Sequence, residues 1–193
     1  AAHAELPVLA DHVHMPVQSG SDRVLRRMIR RYTRAEYVTR MNALRAARPG
    51  LTLSTDVIVG FPGETAEDFE ATLSLVDGVG FVGLFGFKYS PRPYTPALKL
   101  GDDVPEAEKQ RRLAALFERS EALTQAHLAA LVGTRAEVLI EGPSRSGAGT
   151  VVGRTRRNEI VHLAQAAVPG LDVGAVAGVE VARANKHSRA GRF

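Results

Sequence analysis

The chain of 193 residues contains no cysteine. Disulfide bonds, thiolate metal sites and cysteine nucleophiles are therefore excluded within it. No apolar run approaches the roughly 20 residues that a membrane-spanning helix needs, which excludes such a helix. Residues 1–15 (AAHAELPVLADHVHM) lack a basic stretch followed by an apolar core, so they are not a signal peptide. With no export signal, we expect a cytoplasmic protein. The chain does not open with Met, and we expect it to begin partway through a longer protein.

The charge is distributed unevenly along the chain. Apolar residues make up 45% of the sequence, which is typical of one globular domain or of a larger and a smaller one. Residues 1–130 hold sixteen Lys/Arg and sixteen Asp/Glu, whereas residues 131–193 hold nine and five. The whole net charge of +4 thus lies in the last third. A basic module beside a neutral domain favours nucleic acid as a partner, the alternative being a surface that only aids solubility.

Strand and helix patterns alternate up to about residue 130. Thr33 with Glu36, and Thr65 with Asp68, form capping boxes that predict helix starts, and Ser19 or Ser21 can cap an earlier helix. Such alternation predicts a parallel α/β sheet or barrel. The predicted strands are HVHMPV (12–17), LTLSTDVIVG (51–60) and FVGLFGFKYS (81–90), and the predicted helices run to about Ile29, from Thr33 to Arg48, from Ala66 to about Asp77 and from Glu106 to about Leu131, the last with Leu113, Leu116, Phe117, Leu123 and Leu128 roughly on one face.

Three loops follow the predicted strands: QSGSD (18–22), GFPGET (60–65) and YSPRPYTP (89–96). In parallel α/β folds the loops after the strand C-termini lie on one side and carry the function. We therefore expect the functional site where these three loops meet.

The pattern changes after Gly133. The segments RAEVLIEG, GTVVGRT, NEIVHLA and AGVEVARA are short, rich in β-formers and separated by Gly, Pro, Ser and Asn. About five strands in so short a stretch predict a small closed barrel, of which the OB type is the common nucleic-acid binder.

The loop after the central strand is the strongest candidate for a ligand contact. Gly60 and Gly63 have no Cβ, so a ligand could approach the backbone there, and Thr65 caps a helix whose N-terminus attracts negative groups. A plain strand-to-helix turn is the alternative. The Gln18 amide and the Ser19 hydroxyl could likewise bond a ribose or a carboxylate. The alternative is that Ser19 caps the following helix and Gln18 is simply exposed.

Other polar residues have competing interpretations. His12 and His14 alternate on one strand, but with no third ligand in view packing or hydrogen bonding is favoured over a metal site. Asp56 lies in an apolar strand and needs a partner if buried, or faces the mouth of a barrel. A solvated helix face is favoured over RNA contact for a basic stripe made of Arg23, Arg26, Arg27, Arg30, Arg31 and Arg34.

The loop SPRPYTP holds Arg92 between two prolines, which stiffen it into a fixed geometry suited to the edge of a site. Tyr89 and Tyr94 could stack on an adenine or simply pack. No Ser-His-Asp arrangement, phosphate-binding loop or carboxylate pair accompanies them.

Several separate strings, in order and spacing, resemble the radical-SAM methylthiotransferase family, and its tRNA-modifying branch most of all. The three C-terminal strings, IEGPSRSG, VVGRTRRNEIVHL and NKHSRAG, resemble the family's TRAM domain, an OB-like RNA-binding barrel. The resemblance covers nearly the whole chain and rests on HMPVQSGSDRVLRRM, STDVIVGFPGETAEDFEATL, FKYSPRPYTPA, DDVPEAEKQRRL, IEGPSRSG, VVGRTRRNEIVHL and NKHSRAG.

The resemblance implies the C-terminal part of a partial (β/α) radical-SAM barrel with a trailing long helix over 1–131, and a TRAM domain over 132–193. It implies S-adenosylmethionine and 4Fe–4S clusters as cofactors, and a methylthio group added at C2 of an isopentenylated adenosine beside the anticodon. The cofactor supplies the radical, and the protein orients it and excludes water. The implied partner is a tRNA anticodon stem-loop, with no membrane, for a protein acting as a monomer.

The resemblance also implies roles for particular residues. Ile58, Gly60 and Glu64 match the strand and turn that contact the adenine of S-adenosylmethionine, with Asp56 in the same strand. Gln18 and Ser19 match the strand end that faces the ribose and methionine portion. The remaining assignments are Phe87, Tyr89 and Arg92 over the adenine, and Arg135, Arg145, Arg154, Arg156, Arg157 and Lys186 on RNA phosphates. Base stacking by the second module is expected to be weak, because Phe193 is its only aromatic residue.

The chain departs from the family at two points. The CxxxCxxC cluster motif is absent; in the family it lies before the point where this chain begins, so we expect a truncated product that alone does not support radical chemistry. Tyr94 stands where Gly is common, which narrows the mouth of the expected site.

Three alternatives stay open on the sequence. One is the sister class that methylthiolates a ribosomal protein, and another is the class that acts on threonylcarbamoyl adenosine in tRNA. The third is a non-enzymatic RNA-binding protein that uses a TRAM module alone.

Overall fold

The computed structural model describes residues 2–145, 149–164, 172–185 and 188–192. The chain divides into two compact units, one of residues 1–5 and 13–123, the other of residues 6–12 and 124–193. The sequence predicts a boundary after residue 131, whereas this division falls earlier, within the long last helix. Residues 6–12 join the second unit, where the Asp11 backbone N–H donates to the Arg156 carbonyl at 2.7 Å.

The mixed α/β architecture predicted for the first part of the chain is confirmed. Strands β1, β2 and β3 form a three-stranded sheet in that order, with β2 and β3 parallel. The elements are α1 (Ala2–Glu5), β1 (His12–His14), α2 (Asp22–Arg27), α3 (Arg34–Ala47), β2 (Thr52–Val59), α4 (Ala66–Val79), β3 (Gly83–Lys88), a 3-10 helix (Pro96–Leu100) and α5 (Glu106–Leu131). The helix α1 and the 3-10 helix were not expected from the sequence.

Helix starts follow the predicted caps. Ser21, not Ser19, accepts the capping hydrogen bond for α2, and both capping boxes, at Thr33 and Thr65, are formed. The sequence predicts an end of α4 near Asp77, and the helix continues slightly further, to Val79. It ends at Gly80, whose left-handed conformation (φ 65°) needs a residue without Cβ.

The core of the first unit lies between one face of the sheet and helices α3, α4 and α5. Strand β2 is buried over most of its length. Helix α5 contributes Leu116, which is fully buried, whereas Phe117 is 44% exposed. Phe117 nevertheless lies on the predicted helix face, because its ring lies against Gly86 of β3 together with the side chains of Leu113 and Leu116. The fully buried core side chains include Val17, Met41, Leu53, Val57, Val59, Val76 and Leu116.

The described strands after Gly133 close into a barrel, as the sequence predicts. Their order around the barrel is β4-β5-β6-β8-β7, with β6 and β8 parallel and the other neighbours antiparallel. The core contains Val138, Ile140, Val151, Val161, Leu163, Ala177 and Val179. The strands are β4 (Arg135–Pro143), β5 (Thr150–Thr155), β6 (Ile160–Ala164), β7 (Val176–Asn185) and β8 (Ser188–Arg192).

Within the described ranges, no helix combines the length and the apolar composition required to cross a membrane.

Candidate functional site where the strand-end loops meet

The three loops that follow the strands of the first unit meet, as predicted. They border one depression of about 180 Å³. Gln18 follows β1, Ile58 and Phe61 lie at the end of β2 and just beyond it, and Thr95 follows β3. The rest of the lining is Arg27, Met28, Ile29, Arg30, Pro96 and Ala97. The lining of the depression thus combines apolar side chains with one amide and two guanidinium groups.

The backbone around the depression is held in an uncommon conformation at three non-glycine residues. Gln18 has φ 70° and continues the sheet: its N–H donates to the Asp56 carbonyl at 2.8 Å, and its carbonyl accepts from Ile58 N–H at 2.9 Å. Ile29 (φ 59°) and Tyr94 (φ 65°) are also left-handed. Because left-handed non-glycine residues cost energy and cluster at ligand-binding sites, these positions mark the loops around the depression as a candidate site.

Glu64 is held from inside the protein. Its Oε2 accepts from the Gly60 N–H at 2.5 Å and from the Arg112 guanidinium at 2.7 Å, and the Glu64 side chain is 1% exposed. Burial raises the pKa of Glu64, and the hydrogen bonds from Arg112 and Gly60 oppose that rise without cancelling it. The carboxylate therefore ties the turn to α5, while its Oε1 is buried and has no hydrogen-bond partner among the described residues.

The two glycines of the GFPGET turn make room for the chain's own side chains. A Cβ built on Gly60 would lie 2.4 Å from the Lys109 Cγ, and one on Gly63 would lie 2.9 Å from an Arg27 guanidinium nitrogen. Both glycines are left-handed, at φ 67° and 74°. Lys109 in turn is anchored by the Asp102 carboxylate at 2.6 Å. The space above Gly60, where the sequence suggested ligand access, is thus filled by Lys109.

Ser19 and Asp56 also have partners within the chain. Ser19 is fully buried, and its hydroxyl lies 3.3 Å from that of Thr72 and accepts from the Ser21 N–H. Asp56 faces His14, with Oδ1 3.3 Å from Nε2, while the other ring nitrogen of His14 lies 2.9 Å from the Ser54 hydroxyl. Hydrogen bonding therefore explains His14. The described part of the chain contains no group of three His, Asp or Glu placed to hold a metal ion.

The residues of β3 and its loop fall into two environments. Tyr89 is buried, with its ring edge-on to Phe61 at 5.1 Å and under the Lys109 ammonium at 5.5 Å. Its hydroxyl has no hydrogen-bond partner within the part of the chain that the structure describes. Phe87 is 52% exposed, and Arg92 is exposed. Tyr89 therefore packs beneath the loop, while Phe87 and Arg92 are accessible.

The basic stripe predicted on one helix is divided. Arg23 pairs with Asp68, Arg27 donates to the Pro62 carbonyl, and Arg34 donates to the Ala71 carbonyl. Burial by itself would raise the pKa of the Asp68 carboxyl. The hydrogen bonds from Arg23, Ser21 and Thr65 outweigh burial, so the pKa of Asp68 is lowered. No hydrogen bond or ion pair within the described ranges engages the side chains of Arg26, Arg30 and Arg31, which lie around the C-terminal end of α2.

The barrel's arginines differ in the same way. Arg156 pairs with Asp11 and also donates to the carbonyls of Pro7 and Leu9, so its guanidinium is taken up within the second unit. Arg154 pairs with Glu141 at 3.1 Å. Among the described residues, the guanidinium groups of Arg135, Arg145 and Arg157 have no partner. Lys186, predicted to contact RNA, and Phe193 lie outside the described residues.

The sequence reasoning missed Lys109 and Arg112. Both lie on α5 and reach the GFPGET turn from about 48 residues away. Two signals were available in the sequence. Lys109 and Arg112 are three residues apart, which places both basic side chains on one face of a helix, and Glu64 is an acidic residue that needs a partner if it is buried.

Comparison with known proteins adds an independent result. Residues 2–76 match the profile of the Radical SAM superfamily. Over 97% of its length the chain is 69% identical to the tRNA-2-methylthio-N(6)-dimethylallyladenosine synthase of Sorangium cellulosum, of which it covers 39%. Proteins of the same name from Acidithiobacillus ferrooxidans (52% identical over all of this chain, 42% of the relative) and Bordetella petrii (53% identical over 83% of this chain, 34% of the relative) are also similar. The resemblance predicted from the sequence is confirmed, for a chain that spans about two fifths of these relatives.

Proposed function

We propose that this chain is part of a tRNA methylthiotransferase that uses radical S-adenosylmethionine chemistry to add a methylthio group at C2 of an isopentenylated adenosine beside the anticodon. The similarity to relatives named for this product supports the proposal. The observation that carries it is the depression at which the loops after all three strands of the first unit meet.

The residues of the depression fit the adenine side of S-adenosylmethionine. Ile58, Phe61 and Ala97 offer apolar surface to a flat ring, and the Gln18 amide in the lining can donate and accept hydrogen bonds. A volume of about 180 Å³ suits a nucleobase, so the depression would hold one part of the cofactor. Bound there, the cofactor supplies the radical. The chain's own residues would bind and orient its purine and keep water from its face.

The other residues named from the resemblance fall into two groups: some are accessible enough to contact the cofactor, and others would hold the loops that bind it. Glu64 and Gly60 would hold the turn that carries Phe61, since Glu64 bonds the Gly60 N–H and Arg112. Asp56, Phe87 and Arg92 are accessible enough to meet a ligand, whereas Ser19 and Tyr89 would support the loops from beneath.

The iron–sulfur cluster does not fit the residues of this chain. Its usual ligands are cysteine thiolates, and the chain has none. We therefore assign no cluster ligand and derive no step through the cluster here, and we propose that the chain alone is inactive.

We further propose that the barrel is an OB-type TRAM domain that binds the RNA. A five-stranded closed barrel with a net positive charge supports this assignment. Arg135, Arg145 and Arg157 are its best phosphate contacts, since their guanidinium groups have no partner among the described residues. A cytoplasmic location agrees with a tRNA substrate.

The cofactor part of the proposal can be tested with methyl NMR. In a chain labelled at its isoleucine methyl groups, titration with methylthioadenosine should shift the signals of Ile58 and Ile29, which line the depression. Ile140, in the barrel core, is the internal control and should not move. Equal shifts at all three methyl groups, or none at saturating ligand, would reject adenine binding at this site.

The RNA part is tested by binding of an anticodon stem-loop at several salt concentrations. If about three arginines contact phosphates of unpaired RNA, log K should fall with log salt with a slope of about −2. A ribosomal-protein peptide that binds in place of RNA would favour the protein-modifying class instead.

A further inference from the structure

A second feature of the first unit is a group of exposed arginines, one of which lines the depression. Arg26, Arg30, Arg31 and Arg92 are all exposed, and their side chains have no hydrogen bond or ion pair among the described residues. By contrast, Arg23, which is also exposed, is paired. Arg30 lines the depression itself. A group of unpaired guanidinium groups beside a pocket of nucleobase size favours a polyanionic partner.

Two exposed side chains, Tyr94 after β3 and Ile29 after α2, lie in segments that contribute to the lining of the depression. Tyr94 is fully exposed, in the left-handed conformation at φ 65°, and its neighbour Thr95 lines the depression. Ile29 lines the depression, is 63% exposed and has φ 59°. A β-branched or aromatic residue is strained in this conformation, and neither side chain is buried to offset that strain. The loops therefore present these side chains outward at the expense of the fold's own stability.

We infer that this surface, made of Tyr94, Ile29, Arg30, Arg31 and Arg92, binds unpaired nucleotides of the RNA substrate. A base stacks on the Tyr94 ring, Ile29 packs against the neighbouring base, and the arginines contact the phosphates. The inference rests on the proposed function in taking RNA as the substrate. It adds a contact surface on the first unit, separate from the arginines of the barrel.

The combination of groups favours single-stranded RNA over an acidic peptide. An exposed ring stacks on any base from its flat face, and guanidinium groups match phosphates in a fork geometry. The prolines at 91, 93 and 96 stiffen the loop, so less freedom is lost when a base stacks on Tyr94. A duplex cannot use such a ring, because its bases are already stacked on each other.

The Tyr94→Gly variant separates binding from folding. Glycine adopts φ 65° without strain, so the variant should have an unchanged or higher thermal unfolding midpoint. Its affinity for an anticodon stem-loop with an open loop should nevertheless fall about 5- to 30-fold, the range of one lost stacking contact. Tyr94→Phe keeps the ring and should bind within about twofold of the parent chain. A merely structural tyrosine would show the opposite pattern, with stability lost and affinity retained.

A charge-matched pair of double variants tests the arginines. Arg30→Gln with Arg31→Gln should reduce the magnitude of the salt slope by about 1.4, since each phosphate contact with single strands contributes about 0.7. Arg111→Gln with Arg119→Gln removes the same charge from α5, where both arginines are paired with carboxylates, and should leave the slope unchanged.

The outcomes distinguish the surface from the proposed function. If the stem-loop binds the chain but neither Tyr94→Gly nor the Arg30 and Arg31 pair weakens it beyond the control, RNA binding stands and this surface is rejected. Equal losses for the open loop and for a fully paired duplex would reject stacking on Tyr94. If RNA does not bind even at low salt, or an acidic peptide binds this surface instead, both the inference and the RNA substrate fail.

Discussion

Arg112 and Glu64 form a buried ion pair, with 2.7 Å between the guanidinium nitrogen and Oε2 and side chains that are 6% and 1% exposed. The pair joins α5 to the turn after β2, and thereby to the loops that border the depression. Arg112 also donates to the Glu64 carbonyl at 3.0 Å and to Glu108 at 2.7 Å. The position of the turn thus depends on a residue far away in the sequence.

Removing the cation from this pair should destabilise the first unit strongly. Arg112→Met leaves the Glu64 carboxylate buried without its partner, and we expect a loss of about 3–5 kcal/mol in the free energy of unfolding. Arg112→Met combined with Glu64→Gln should recover part of the loss, since no buried charge remains. Urea unfolding followed by tyrosine fluorescence reports on this unit alone, because all four tyrosines lie between residues 32 and 94 and the chain has no tryptophan.

The matched control for Arg112 is Arg111→Met. Arg111 binds the same Glu108 but is 63% exposed, so its loss should cost at most about 1 kcal/mol. Equal effects of the two substitutions would contradict a special role for the buried pair.

Acid should unfold the first unit through Asp68 and Glu108. Hydrogen bonds from Arg111 and then Arg112 lower the pKa of Glu108 to about 2, and the pKa of Asp68 is also lowered. When folding lowers the pKa of a carboxyl, the unfolded chain binds protons more readily than the folded one. The carboxyl therefore contributes its whole stabilisation above its unfolded-state pKa, and this contribution is lost as pH falls toward its folded-state pKa. Burial raises the pKa of Glu64, which acts with the opposite sign and weakens stability as pH rises through its folded pKa.

The measurement is the urea midpoint between pH 6 and pH 2 for the parent chain and for Asp68→Asn. We expect the parent to lose stability steadily below about pH 4.5, and the variant to be less stable at pH 6 but to change less on acidification. The exposed Glu118→Gln serves as a control with the parent's pH dependence. A variant as sensitive to acid as the parent would show that Asp68 is not the residue responsible.

Two glycine substitutions should have opposite signs. Gly60→Ala places a Cβ at φ 67° and against Lys109, and we expect it to cost about 1–3 kcal/mol. Gly78→Ala lies within α4 with no atom within 4 Å of the new Cβ, and it should stabilise the unit by about 0.5–1 kcal/mol. Thermal unfolding of the two variants decides the matter, and a stabilising Gly60→Ala would show that Lys109 moves aside freely.

Arg156 and Arg157 are adjacent but should report different properties. Arg156→Gln removes the bonds to Asp11, Pro7 and Leu9, so amide hydrogen exchange in residues 8–12 should accelerate while RNA affinity changes little. Arg157→Gln leaves exchange unaltered and should reduce the magnitude of the RNA salt slope by about 0.7. If Arg156→Gln lowers RNA affinity as much as Arg157→Gln does, Arg156 contacts RNA despite its internal partners.

Features encoded within a few residues could be predicted from the sequence. The capping boxes at Thr33 and Thr65 need only a side chain and a backbone group three residues apart, and both are formed. The alternation of strands and helices also determined that the three loops lie on one side, because parallel strands end at the same edge. The short β-rich segments after Gly133 likewise predicted a closed barrel.

The tertiary structure decided which partner each charged side chain has. The sequence presents six arginines in one stripe, but only the packing of α2 against the turn and α4 pairs Arg23 with Asp68. The same packing leaves Arg30 and Arg31 without an ion-pair partner among the residues that the structure describes. It likewise places Lys109 over Gly60 and takes Arg156 to Asp11. Secondary structure follows from local hydrogen bonding and periodicity, whereas ion pairing depends on distances between segments that only the folded chain brings together.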